Sequence, residues 1–148
     1  MPRLTVDQLA GLFEGRTRFV MRLAEYDDPL RHARAILRSL PEADVVEALN
    51  AHPRIGTRAL STSSAAEQGQ EDDPAILEEL AKLNRAYEEK FGFRFVVFVN
   101  RRPRSRILSV LRERYARTRE EELETAVEDL VAIAEDRYRQ MHAPPPRE

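Results

Sequence analysis

Four groups of residues in this 148-residue chain have the type and spacing to do chemistry. The first is His52, followed by Pro53-Arg54-Ile55-Gly56. Histidine exchanges protons near neutral pH, and a proline directly after it forces it out of helical backbone, so the ring is placed by geometry. The plainer reading is a surface histidine closing a helix C-terminus, where the dipole favours imidazolium, and by itself His52 favours that reading. The second group is Ser64-Ala65-Ala66-Glu67-Gln68. Its hydroxyl and carboxylate can converge on a polar ligand, and a carboxylate beside a histidine fixes its tautomer and raises its basicity. The Gln68 amide offers donors and an acceptor suited to a heteroatom-rich ring. Ser-x-x-Glu is equally a capping box, and the two readings are compatible.

The third group is the run Phe95-Val96-Val97-Phe98-Val99, rich in β-branched and aromatic residues, which continues back to Phe93 as one extended segment. A core strand is the bland reading, but a strand alone among helices has no ladder partner and must still pair its N–H and C=O groups. A ligand rich in amides is one way to pair them. The fourth is Arg137, on or beside the apolar stripe of the last helix, where an arginine needs a carboxylate. A structural ion pair is the default, and Arg139 lies close enough in register to take its place. Arg101-Arg102-Pro103-Arg104 reads as a solvated loop, because positive charge before a helix N-terminus opposes the dipole.

The elements that must position these groups are mostly helices. Thr5-x-x-Gln8 is a capping box, with Leu9, Leu12 and Phe13 on one face and Phe19, Val20 and Leu23 extending it past Gly15. Asp28-Pro29 starts a second helix and Pro41 a third, which must stop near His52. From Arg54 to Asp73 no period is sustained, and so long an irregular stretch is often functional. Asp73-Pro74 opens a helix that buries Ile76, Leu77, Leu80, Leu83 and Tyr87 and ends at Gly92. A helix from about Pro103 to Tyr115 follows. Thr118-x-x-Glu121 caps the last one, whose stripe is Leu123, Val127, Leu130, Val131, Ala134 and Tyr138. The expectation is all-α: a single-domain bundle of about six to eight helices over residues 1–142, with one short extended segment. Residues 143–148, Ala-Pro-Pro-Pro-Arg-Glu, form a frayed tail.

Composition excludes several classes. With 24 basic and 26 acidic residues there is no positive field to recruit nucleic acid or an anionic membrane. Zero cysteines remove disulfides, thiol nucleophiles and most structural zinc sites. His32, His52 and His142 are too scattered for a metal-ligand spacing. The start has no apolar signal core and no stretch approaches the ~20 residues needed to span a bilayer, so a soluble, cytoplasmic protein without bound metal is expected.

The motifs together, in order, are more specific than any one. His52-Pro53-Arg54-Ile55-Gly56, then Ser64-x-x-Glu67-Gln68, then Leu83-Asn84-x-x-Tyr87-x-x-Lys90-Phe91-Gly92-Phe93-Arg94-Phe95-Val96-Val97, resembles the 2-oxo-4-hydroxy-4-carboxy-5-ureidoimidazoline (OHCU) decarboxylase family of urate degradation. The resemblance runs over nearly the whole chain, from Phe13 to Leu130-Val131-Ala132-Ile133-Ala134-x-x-Arg137. It departs from the family's pattern near Arg18-Phe19, where a tryptophan is usual, and at Gly69-Gln70-Glu71-Asp72. It implies a cofactor-free carboxy-lyase that yields (S)-allantoin from a small ureidoimidazoline. In that reading His52 transfers protons and Glu67 orients the imidazole or the substrate hydroxyl. Pro53 packs on the flat ring; Ser64, Gln68, their neighbours Ala65 and Ala66, and the backbone from Phe95 to Val99 bind ring and ureido amides; Arg137 holds the carboxylate. A homodimer is compatible with it. The rivals are a non-enzymatic helical interaction module and a lyase acting on a related ureido acid.

Overall fold

The computed structural model describes residues 2–55 and 73–142. Gly56, the Ser64 to Gln68 group, most of the irregular stretch and the tail 143–148 lie outside the described residues. Seven helices and no strand are found among the described residues: α1 (Val6–Phe13), α2 (Arg18–Leu23), α3 (Pro29–Ser39), α4 (Glu42–Asn50), α5 (Pro74–Phe91), α6 (Arg104–Tyr115) and α7 (Arg119–Met141). The chain is thus all-α, as its periodicity predicts.

Local chemistry sets the boundaries. The Thr5 and Thr118 boxes are formed, each hydroxyl accepting from the N3 amide while the N3 side chain returns to the cap N–H. Prolines stand at the first turn of α3 and α5, where their missing N–H costs nothing. Gly92 closes α5 at φ 80°, a conformation glycine takes without penalty. The apolar stripe expected to continue past Gly15 is instead broken into α1 and α2. Glu14 turns left-handed at φ 67°, and Thr17 caps a new start by accepting from the Val20 amide.

The last helix is the axis. At 23 residues it is about 35 Å long, and α1, α3 and α4 pack against it, while α2 bridges α1, α3 and α4. Its Ala126, Val127, Leu130, Val131, Ile133 and Ala134 are buried. α5 pairs with α6. Between them runs the segment from Phe93 to Val99, extended as expected and without a ladder, its Phe93 and Phe95 rings edge-on to Tyr87. Along α5, Leu80 and Tyr87 are buried as expected, but Ile76, Leu77 and Leu83 are half-buried and Asn84 takes a buried place. No helix among the described residues is long and apolar enough to cross a membrane.

Candidate active site

His52 follows the end of α4. Its N–H still donates to Leu49 O at 3.2 Å, a last turn of helix, and Pro53 prevents another. The backbone around it is clamped from two sides. Arg94, at the start of the extended segment, donates through Nη1 to the carbonyls of Asn50 (2.7 Å) and His52 (3.0 Å), while its own N–H donates to Asn50 Oδ1 at 2.9 Å. From α5, Glu88 accepts both Nε and Nη2 of Arg54 at 2.8 and 3.0 Å, and Asn84 Nδ2 donates to Ile55 O at 2.9 Å. That contact explains why an amide rather than an apolar side chain is buried on α5.

The His52 imidazole is not the exposed helix cap of the plain reading: the residue is 6% exposed, and Nε2 is buried without a hydrogen-bond partner among the described residues. Burial pushes its pKa down to about 4, the positive charge of Arg137 adds to that, and Glu14 opposes it. Burial thus outweighs the raising effect of Glu14, while Glu67, the carboxylate expected to raise this pKa, lies outside the described residues. The ring is a neutral base at pH 7.

Arg137 comes from α7 and is 5% exposed. Its Nη2 meets Glu14 Oε1 at 2.9 Å, and Nη1 donates to Leu12 O at 3.1 Å and Gly11 O at 3.4 Å. Glu14 is thus a carboxylate partner of the kind a stripe arginine requires. Arg139, the alternative in register, is exposed beside Asp136. Arg137 also lines a cavity of about 820 Å³, together with Gly11, Leu12, Phe98, Asn100 and Arg101.

The extended segment divides by parity, because successive residues of an extended chain turn their polar groups to opposite edges. On one edge Val96 O accepts from Arg114 Nη1 at 2.8 Å, Phe98 N–H donates to Asp129 Oδ2 at 3.1 Å, and Phe98 O accepts from Arg102 Nη2 at 2.6 Å. Val99 O is also taken, by the N–H and Nε of Arg102. On the other edge the N–H and C=O of Val97 have no partner among the described residues. Val97 is buried, so these main-chain groups face the protein interior rather than open solvent.

Of the groups singled out in the sequence, His52 and Arg137 are brought within electrostatic reach of each other, and Phe98 shares a cavity wall with Arg137. Pro53 follows His52 half-buried. Ser64, Ala65, Ala66, Glu67 and Gln68 lie outside the described residues. Glu14, with an ordinary helix-end sequence, gave no signal. Nor did Arg114, whose Nε meets the fully buried Glu122 at 2.8 Å while Tyr87 donates to the same carboxylate at 2.7 Å. No cluster able to hold a metal occurs among the described residues.

The family model for OHCU decarboxylase matches residues 6–139. The chain belongs to the OHCU decarboxylase family. Among OHCU decarboxylase relatives, the 2-oxo-4-hydroxy-4-carboxy-5-ureidoimidazoline decarboxylase of Halalkalicoccus jeotgali is 30% identical over 104 residues, covering 67% of this chain and 59% of that protein. The uric acid degradation bifunctional protein TTL of Arabidopsis thaliana is 33% identical over 102 residues, 62% of this chain and 32% of that protein. The chain thus spans less than two thirds of these relatives. A crystal structure of OHCU decarboxylase in the presence of (S)-allantoin superposes with a TM-score of 0.75 at 26% identity, covering 93% of this chain and 99% of that one.

Proposed function

We propose that this chain is an OHCU decarboxylase, converting 2-oxo-4-hydroxy-4-carboxy-5-ureidoimidazoline to (S)-allantoin without a cofactor. The observation that carries the reading is the placing of a buried His52 within electrostatic reach of a buried Arg137, brought from opposite parts of the sequence, in a chain of this family.

The substrate explains why so little machinery suffices. Its carboxylate and a hydroxyl share one carbon next to a C=N bond, so as CO2 leaves the pair of the breaking C–C bond forms a C=C bond to the imine carbon and the C=N π pair moves onto nitrogen. The imine nitrogen takes a proton from water. The enol-like intermediate then becomes a carbonyl when the hydroxyl proton is removed and the ureido-bearing carbon is protonated from one face. His52, deprotonated at neutral pH, is the group we assign to take the hydroxyl proton and return it to carbon. Arg137 would orient the carboxylate. The open edge at Val97, and with it the backbone from Phe95 to Val99, would receive ring and ureido amides, and Pro53 would pack on the ring. Glu67 would orient the imidazole or substrate hydroxyl; Ser64, Ala65, Ala66 and Gln68 would complete the pocket wall. A cytoplasmic location and a homodimer fit this reading.

The test is decarboxylation of freshly generated OHCU with and without protein, followed by circular dichroism of the product. Accelerated loss of the carboxylate with formation of the S enantiomer supports the assignment. A rate equal to the spontaneous one overturns it.

A further inference from the structure

We propose that Glu14 is a positioning residue of this site, a built-in counter-charge that fixes the Arg137 guanidinium and moderates its hold on the substrate carboxylate. The inference rests on the reading above, in which Arg137 receives that carboxylate.

The end of α1 supplies three contacts to this guanidinium: Glu14 Oε1 on Nη2 and the carbonyls of Leu12 and Gly11 on Nη1. Two protein carbonyls and a carboxylate therefore draw on the cation before any substrate arrives. The Glu14 side chain is itself only 9% exposed, so its charge is not screened away by water. Its backbone sits at φ 67°, a region costly for any residue with a Cβ, although Gly15 stands next to it and would carry that conformation at less cost. The turn is seated against α4, since a Cβ built on Gly15 would lie 3.4 Å from Ala51 Cβ, one residue before His52. The charges of both Glu14 and Arg137 reach the imidazole, with opposite sign.

A structural ion pair would need only the first of these features. The chemistry supplies the reason for the rest. Loss of CO2 turns an anionic carboxylate into a neutral molecule, so a full, unopposed cation stabilises the ground state more than the transition state and slows the reaction. An arginine already shared with Glu14 aligns the carboxylate and still lets it go.

The experiment is steady-state kinetics and ligand binding on the full chain and on Glu14→Gln, which keeps shape and removes charge. The KM for OHCU should fall about tenfold and kcat by at least as much, a change equivalent to one pKa unit of charge interaction. By calorimetry, hydantoin-5-acetate, a ring with a carboxylate, should bind about tenfold tighter to the variant, while (S)-allantoin, which lacks the carboxylate, should bind within about twofold of wild type. A raised or unchanged KM, or an equal shift for both ligands, overturns the proposal and leaves a structural ion pair. If the wild type fails to turn over OHCU, the reaction assignment falls, and the contrast between the two ligands decides the role of Glu14 separately. Should Glu14→Gln not fold, Glu14→Asp, which withdraws the charge by one methylene, must show the same contrast at about two- to threefold, and its absence overturns the proposal.

Discussion

A histidine whose pKa lies near 4 changes what acid should do to this protein, both to its rate and to its stability. In the unfolded chain the imidazole titrates at its ordinary 6.5, and in the folded chain burial and Arg137 hold it down to about 4. Between those values the unfolded state binds a proton that the folded state refuses, so stability is fully present above pH 6.5 and is lost as pH falls towards 4. The loss should approach about 3 kcal/mol, seen as a lower urea midpoint, and His52→Asn should flatten that part of the curve. Turnover by the free base should be level from neutral pH down to about pH 5 and fall below it. At neutral pH His52→Asn should lower kcat by about 10²–10⁴-fold with the fold intact, and Glu67→Gln by less. Arg137→Lys keeps a charge but cannot serve Glu14 and two carbonyls at once, so KM for OHCU should rise about tenfold with kcat little changed.

At the scale of elements, the segment between α5 and α6 behaves as half of a two-stranded ladder whose second strand is made of side chains. Arg114, Asp129 and Arg102 pair the Val96 and Phe98 edge. Burial raises the Asp129 carboxyl against the lowering effect of the Phe98 N–H and of the arginines, so its charged form is held there at a cost. Replacing Arg114 by Ala removes one of the two arginines that hold the buried Glu122, the other being Arg117, together with the donor to Val96 O, and should cost about 1.5–3 kcal/mol in urea unfolding. Val97→Ile should leave KM close to wild type, because the groups offered there belong to the main chain. The helices were legible in the sequence because their signals are local. Thr5 and Thr118 with their N3 partners, Pro29, Pro74 and Gly92 each act within a turn of where they stand. The extended segment was legible by composition, and its need for partners followed from backbone chemistry. The partners were not, since nothing local marks Arg114 and Glu122 out among the chain's many charged residues and only packing shows that they are buried. Glu14 was hidden for the same reason, its partner being 123 positions away.

For the molecule as a whole, α7 is the wall that α1, α3 and α4 share. Leu130→Ala on its buried face should cost about 2–5 kcal/mol and lower the melting temperature without shifting KM, since Leu130 touches the core and not the cavity. Chelators should leave turnover unchanged. Outside the core, α3 is tied to α7 by Arg34 with Glu128 and Glu135 and by Arg38 with Glu124 and Glu128, half-exposed pairs whose contribution salt should weaken. The same central helix dictates the order in which the protein can mature during translation. α1 to α4 are complete at Asn50, but the helix that covers them begins at Arg119. At usual elongation rates of ~5–20 residues per second, the nascent chain waits about 3–14 s with the faces that α1, α3 and α4 turn to α7 uncovered. Nor can Arg137 find the Leu12 carbonyl, 125 positions earlier, until α7 itself has been made. A ribosome that stalls anywhere before α7 therefore holds a chain with neither a closed core nor a site, and slow codons ahead of Arg119 would prolong its dependence on chaperones.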